Sequence, residues 1–263
     1  MSQQAEIGIF GGSGFYSFLD DVEEVEVETP YGPPSAPVAI AEIEGRSVAF
    51  IPRHGREHQL PPQRINFRAN LWALKELGVK RVIGPCACGA LQPELELGEF
   101  VVCDQYIDRT SSRADTFYDG PEVMHVSAAE PYCEDLGRTL IETARELGIP
   151  VRETGTVVVI QGPRFSTVAE SRWFSSMGWD VVNMTQYPEC HLARELELCY
   201  AGIAMVTDYD VGVLGAGAVS SWTVARVFNE NLERLRALLL AAIPRIGPQP
   251  TDACSDALAK ARI

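Results

Sequence analysis

No run of about 18 consecutive apolar residues occurs in this 263-residue chain, so no segment has the length to cross a bilayer as a helix. The opening Met1-Ser-Gln-Gln-Ala-Glu6 lacks both the basic and the apolar region of a secretory leader, and a cytoplasmic location is expected. Positive charge is scarce. Against 36 Asp and Glu stand 22 Lys and Arg, with 4 His, for a formal net charge of -14. That field repels polyanions, which argues against nucleic acid or an anionic membrane as partner, and an anionic ligand would need a local cationic pocket. The 7 cysteines are odd in number and scattered through apparent strands and helices, the pattern of reduced thiols rather than of a disulfide frame. Internal repeats and low-complexity segments are absent.

What is present alternates. Mostly apolar runs of strand length are followed by helix-period segments, so the expected class is α/β, with a central mixed, largely parallel sheet flanked by helices. The length suits one large domain. The most informative stretch is Cys199 to Asp210. Eight mostly apolar residues, Cys199 to Val206, read as a buried parallel strand, which then breaks into Thr207-Asp-Tyr-Asp210. Ligands of open α/β sheets sit at the carboxyl ends of strands. Asp is a poor strand residue and costly to bury, so Asp208 and Asp210 there are either strand-ending caps or functional carboxylates.

Ile7 to Gly11 reads as a first strand entering Gly11-Gly-Ser-Gly14. Such a turn lets backbone amides approach a ligand, but it matches neither G-x-G-x-x-G nor the P-loop, which removes the two common nucleotide motifs. Val38–Ile43 and Ser47–Pro52 form a hairpin around Glu44-Gly45. It is followed by Arg53-His54-Gly55-Arg56-Glu57-His58, the densest cluster of cationic and His groups. His54-x-x-Glu57-His58 has the spacing of a zinc motif, but that motif needs a helix, and Gly55, Pro52 and Pro61-Pro62 oppose one. An anion site using Arg53 and His54 is the better reading, beside that of a solvated loop.

A helix is expected over Arg64–Leu77. A strand over Lys80–Gly84 then opens into the small-residue loop Pro85-Cys-Ala-Cys-Gly-Ala90, suited to backbone contact with a ligand. Cys86-x-Cys88 has no partner pair for a metal. One strand is expected over Glu99–Ile107, and a long irregular segment, Asp108–Glu130, contains His125. Then come a helix Cys133–Leu147, a strand Thr156–Gln161, a helix Glu170–Met177, a strand Val181–Met184 and a helix starting near Pro188. A Gly-rich loop spans Val211–Ala218. Ser220 or Ser221 caps a last helix whose apolar face includes Val224, Val227, Phe228, Leu232, Leu235, Leu238 and Leu239. From Pro244 the chain is polar.

Several of these stretches, in order, match one family: Gly11-Gly-Ser-Gly14, Arg53-His-Gly55, Asn70-x-Trp72, Ala87-Cys-Gly89, Asp104 to Thr110, Phe117 to Gly120, Gln161-Gly-Pro-Arg-Phe-Ser166, Val182-Asn-Met-Thr185 and Thr207-Asp-Tyr-Asp210. Together they resemble the trimeric purine nucleoside phosphorylases, nearest the branch acting on methylthioadenosine. The match spans about residues 6–247 of a single 1–263 domain, leaving a polar tail over 248–263.

The resemblance implies attack of inorganic phosphate, a co-substrate, on C1' of a nucleoside. Free purine and a ribose 1-phosphate are released without metal or organic cofactor. It places phosphate on Ser13, Arg53, His54, Cys86, Ala87 and Thr185. It sets Met184 against the ribose, Phe165 and Ser166 beside the purine and Asp210 at the base edge, and it counts Asn183 and Tyr209 among the substrate-binding residues. It makes Asp208 the catalytic group, hydrogen-bonded to N7 and the 6-amino group. In a homotrimer, His125 would reach the neighbouring subunit's 5' pocket, which Ser221 also lines. An ionised Asp208 suits a 6-aminopurine, where 6-oxopurine enzymes carry Asn.

Three features depart from that branch: Cys86 where Thr is usual, Ser221 where an apolar residue is usual, and a shorter tail. Related enzymes also take 5'-halogenated or 5'-deoxy adenosines. The competing readings are a 6-oxopurine or methylthioinosine phosphorylase, a non-catalytic nucleoside-binding module, and a dinucleotide-dependent dehydrogenase, the last disfavoured by motif spacing.

Overall fold

A computed structural model describes residues 5–11, 22–247, 253–259 and 261–262. Ser13 and the glycine turn around it lie outside the described residues. In chain order the strands and helices are β1 (Ile7–Gly11), β2 (Glu23–Val25), β3 (Val38–Ile43), β4 (Arg46–Pro52), α1 (Phe67–Glu76), β5 (Arg81–Ala90), β6 (Phe100–Cys103), β7 (Gln105–Arg109), α2 (Glu134–Glu146), β8 (Val151–Arg152), β9 (Thr156–Ile160), α3 (Val168–Ser176), β10 (Val181–Asn183), α4 (Gln186–Glu195), β11 (Cys199–Tyr209) and α5 (Ser221–Ala242). Short 3-10 turns fill several connections.

The described strands form one sheet in the order β2-β3-β4-β1-β5-β10-β9-β7, with β11 on the other edge of β5, β6 beside β11 and β8 beside β6. Pairing is parallel for β1 with β4 and β5, β5 with β11, β9 with β10 and β7, and β6 with β8. It is antiparallel for β2-β3-β4, β5-β10 and β6-β11. The expected mixed, largely parallel sheet is therefore present.

The unbroken apolar runs follow from burial on both faces. Along β11, Tyr200, Ala204 and Val206 pack with Leu71 and Leu74 of α1 and Leu192 of α4. The alternate residues Cys199, Ala201, Ile203 and Met205 pack on the opposite face with Leu136 and Leu140 of α2 and Leu235, Leu238 and Leu239 of α5. Ser220 caps α5, its Oγ accepting from Thr223 N at 3.2 Å.

Four expectations are corrected. The strand after Lys80 does not stop at Gly84, because β11 pairs with it through Ala90. The single strand Glu99–Ile107 is two strands. Its first part pairs with β11 and its second with β9, and the chain changes sides at Asp104, whose Oδ1 accepts from Gly155 N at 3.0 Å. β11 runs on through Thr207 and Asp208 to Tyr209. The irregular segment begins only after Arg109. The short strands β2 and β8 were not expected.

β5 is the key to the site. On one edge β11 accompanies it throughout. On the other, β1 pairs only with Arg81–Ile83 and β10 only with Gly89–Ala90. Between them, Gly84 to Cys88 present a backbone edge that no described strand covers. Gly84 also allows close packing, since a Cβ there would overlap the Tyr200 hydroxyl and lie 3.1 Å from Glu189 Oε1. Gly84→Ala is expected to cost roughly 1–3 kcal/mol by overpacking. Gly217, where a Cβ would meet nothing, should tolerate Ala. Denaturation midpoints compare the two, and equal stability would contradict this account.

Candidate active site

The uncovered edge of β5 forms one wall of a cavity of about 780 Å³. Arg53, His54 and His58 approach from the end of β4. Cys86, Ala87, Cys88 and Gly89 come from β5, Phe165 and Ser166 from the turn before α3, and Asn183, Met184 and Thr185 from the β10-to-α4 junction. Thr207, Asp208 and Asp210 come from the end of β11. Ser221, Trp222, Val224, Ala225, Phe228 and Asn229 of α5 close the wall.

Arg53 is 4% exposed. Its Nε and Nη2 each donate to a Glu189 carboxylate oxygen at 2.6 Å, and its Nη1 donates to Pro85 O at 3.0 Å. Tyr200 OH donates to the same Glu189 at 2.6 Å. Burial opposes the charge of Arg53, but Glu189 outweighs it and holds the guanidinium protonated. The fork still has two N–H groups beyond those bonds, the number needed to grip an oxyanion.

His54, the expected companion of Arg53 in an anion site, is held neutral. Burial, opposed by its bond to Leu60 and reinforced by Arg53 and His58, lowers its pKa to about 4. Its Nδ1 lies 2.9 Å from Leu60 O, which can only accept, so Nδ1 carries the proton and Nε2 is an acceptor. The His54 and His58 rings stack with centroids 4.3 Å apart. Gly55 and His58 are in the left-handed region, with φ of 77° and 54°, so the segment is not the helix a zinc motif requires.

A β-bulge aims the carboxylates. Val206 is opposite Cys88 and Asp208 opposite Gly89, which leaves Thr207 as the extra residue. Thr207, Asp208 and Asp210 face the cavity, while Tyr209 turns away and donates its hydroxyl to Leu95 O at 2.7 Å. Tyr209, expected among the substrate-binding residues, is not among the residues lining the cavity. Gly89 makes room, since a Cβ there would be 3.1 Å from Asp208 Oδ2.

Burial raises the Asp208 pKa to about 6. The Thr207 hydroxyl, donating to Oδ1 at 2.8 Å, opposes the rise, and Asp210 adds to it. Burial also raises Asp210, partly offset by the hydroxyls of Ser171 and Ser166. Asn183 Oδ1, on the cavity wall, has no hydrogen-bond partner among the described residues. Polar atoms buried in this state around a cavity are ready for a polar ligand.

Cys86 is buried, and its sulfur accepts from Asn183 Nδ2 at 3.1 Å and Gln186 Nε2 at 3.5 Å. Burial pushes its pKa up, so it is a neutral thiol. Thr185 precedes α4 without spending its side chain on a cap. His125 is exposed, off this cavity, and its backbone N–H donates to Ala261 O at 2.8 Å.

Sequence reasoning missed Glu189, Trp222, Ala225 and Asn229, and met His58 only in the rejected zinc spacing. For α5 there was a usable pattern. Residues 221, 224, 225, 228 and 229 recur at helical spacing beside the core stripe.

The chain belongs to the Phosphorylase superfamily, whose family model matches residues 6–244. It is 53% identical to an S-methyl-5'-thioadenosine phosphorylase of Pyrococcus abyssi over 96% of this chain and 97% of the relative. It is 52% identical to a purine nucleoside phosphorylase of Streptomyces coelicolor over 93% and 91%. A methylthioadenosine phosphorylase from Schistosoma mansoni, solved with adenine, superposes with a TM-score of 0.93 at 36% identity, covering 98% of this chain and 99% of that one. No helix among the described residues is long and apolar enough to cross a membrane.

Proposed function

We propose that the protein catalyses phosphorolysis of 5'-deoxy-5'-methylthioadenosine, or a closely related 5'-modified adenosine, to adenine and the 5-substituted ribose 1-phosphate. The observation that carries this reading is one cavity with two chemically distinct ends. One end has Arg53, Thr185 and the open β5 edge at Cys86 and Ala87, suited to phosphate. The other has Asp208, Asp210, Phe165 and Ser166, suited to a purine. The family membership and the methylthioadenosine-acting relatives support it.

In the reaction a phosphate oxygen attacks C1', the C1'–N9 bond breaks, and its electron pair passes into the purine. Holding the anion against the electron-poor sugar and neutralising the departing base are the two tasks of the site. Arg53, Thr185, the backbone at Cys86 and Ala87, and Ser13 hold phosphate. His54 in its neutral form accepts from a phosphate hydroxyl. Met184 and Asn183 face the ribose. Protonated Asp208 donates to N7 while its carbonyl oxygen accepts from the 6-amino group. Ser221, Val224 and Phe228 border the 5' substituent, and His125 completes that pocket in a neighbouring subunit of a homotrimer. No metal or organic cofactor is assigned a role.

A second reading, activity on 6-oxopurine nucleosides, is favoured by one fact: a protonated Asp208 can also donate to a carbonyl. Incubating the protein with methylthioadenosine, adenosine and inosine, with and without phosphate, separates the two. Adenine released fastest from methylthioadenosine, and only with phosphate, is expected. Hypoxanthine as the main product would transfer the assignment to the second reading. Base release independent of phosphate would overturn both.

A further inference from the structure

Three cysteines far apart in sequence meet away from the cavity. Cys199 begins β11. Cys133 caps α2, its Sγ accepting from Leu136 N at 3.4 Å, and Cys254 lies in the turn Ala253–Asp256. Their sulfurs all lie within 4.8 Å of one another, and Cys133, Cys199 and Cys254 are 1%, 0% and 5% exposed. We infer that Cys133, Cys199 and Cys254 form a structural three-thiolate site for a thiophilic metal ion such as Zn(II) or Cd(II).

The geometry is close to what such an ion needs. With metal–sulfur bonds of about 2.3 Å, tetrahedral angles put sulfurs roughly 3.8 Å apart, so small side-chain adjustments close the site. Soft sulfur ligands select soft or borderline ions over Mg(II) or Ca(II). Three ligands leave one position for water. The sequence gives no hint of the site, because the three cysteines are separated by 66 and 55 positions rather than by a short metal-motif spacing.

The charge also closes. Loading a divalent ion displaces three thiol protons and leaves three thiolates and one dication, a net -1. A buried net charge is costly unless paired. Arg81, 1% exposed, supplies the partner, its Nη1 donating to Cys199 Sγ at 3.6 Å and Cys133 Sγ at 3.9 Å. Arg81 also meets Asp135 at 3.2 Å, but Arg138 meets the same carboxylate at 2.7 Å.

The site would fasten the C-terminal segment to the core. Just beyond Cys254, Ala261 O accepts from His125 N at 2.8 Å, and Arg262 pairs with Met124 as an antiparallel bridge. The ion therefore anchors the chain against which the His125 segment rests.

The test uses the reduced, metal-stripped full-length protein without substrate, titrated with Cd(II). The expected result is a thiolate-to-cadmium charge-transfer band in the ultraviolet saturating at one equivalent per chain, with a rise in Tm of roughly 5 °C in excess ion. Both should vanish in Cys254→Ser and Cys199→Ser and persist in Cys103→Ser. Cys254 lies in the terminal segment, so Cys254→Ser should keep the native circular dichroism spectrum. No band in the folded, reduced protein, or a band unchanged in Cys254→Ser, would overturn the inference. So would a protein that forms a disulfide among these cysteines and, once reduced, does not take up Cd(II).

Discussion

Asp208→Asn is expected to lower kcat/KM for methylthioadenosine by roughly 10²- to 10⁴-fold, the usual contribution of a positioned general acid. The amide keeps the shape and one donor but has no proton to give up as the purine leaves. The pH profile supplies the discriminating readout. Burial holds Asp208 near 6, above the ordinary carboxyl range, with the Thr207 hydroxyl opposing and Asp210 reinforcing the shift. A raised acid is protonated, and so able to donate, below that value, and it loses the proton as the pH climbs past it. At saturating phosphate, kcat/KM should therefore fall as pH rises through about 6 in the natural protein. That limb should be missing in Asp208→Asn. The variant should also shift its preference towards inosine, because an amide NH2 has two protons to donate, to N7 and to a 6-oxo group, where protonated Asp208 has one. A variant that keeps both the rate on methylthioadenosine and the alkaline limb would remove Asp208 from the chemistry.

The sequence exposed Asp208 because a run buried on both faces of a sheet leaves a continuous apolar signature, and charged residues at its end stand out. It could not expose the bulge at Thr207. That bulge arises from pairing with β5, and it decides that Asp208 and Asp210 face the cavity while Tyr209 does not. β5 itself read as a strand ending at Gly84, since Pro85 and Gly89 are weak strand formers. It persists because β11 pairs with it residue by residue. The loop expectation and the observed strand share one consequence, an open backbone edge, which is why Cys86 and Ala87 could be singled out for a wrong structural reason. Ser221 was reached through the resemblance, and its cavity-facing neighbours Ala225 and Asn229 were masked by the stronger core stripe on α5. Glu189 was invisible. It sits 136 positions from Arg53, and nothing local distinguishes it from any acidic residue near a helix start.

That hidden partner makes Arg53 the site of the other large effect. Arg53→Met is expected to destabilise the protein by about 3–5 kcal/mol, because it leaves the fully buried Glu189 carboxylate without its cation. Loss of activity in that variant alone would be ambiguous between an altered fold and a lost phosphate ligand. Adding Glu189→Gln separates them. The neutral amide can still accept from Tyr200 OH, which lies 2.6 Å from Oε1, so the double variant should recover most of the stability. Phosphate binding should not recover with it. The guanidinium fork is the only group in the described cavity wall offering two charge-assisted donors to one anion, and hydrogen bonds of that kind contribute about 1.5–3 kcal/mol. The double variant's KM for phosphate should stay elevated by roughly 10- to 100-fold. Chemical denaturation measures the first quantity, and initial rates against phosphate at saturating nucleoside measure the second. If stability and phosphate KM return together, Arg53 serves the fold alone, and the phosphate end of the cavity must be built from the β5 edge and Thr185 without it.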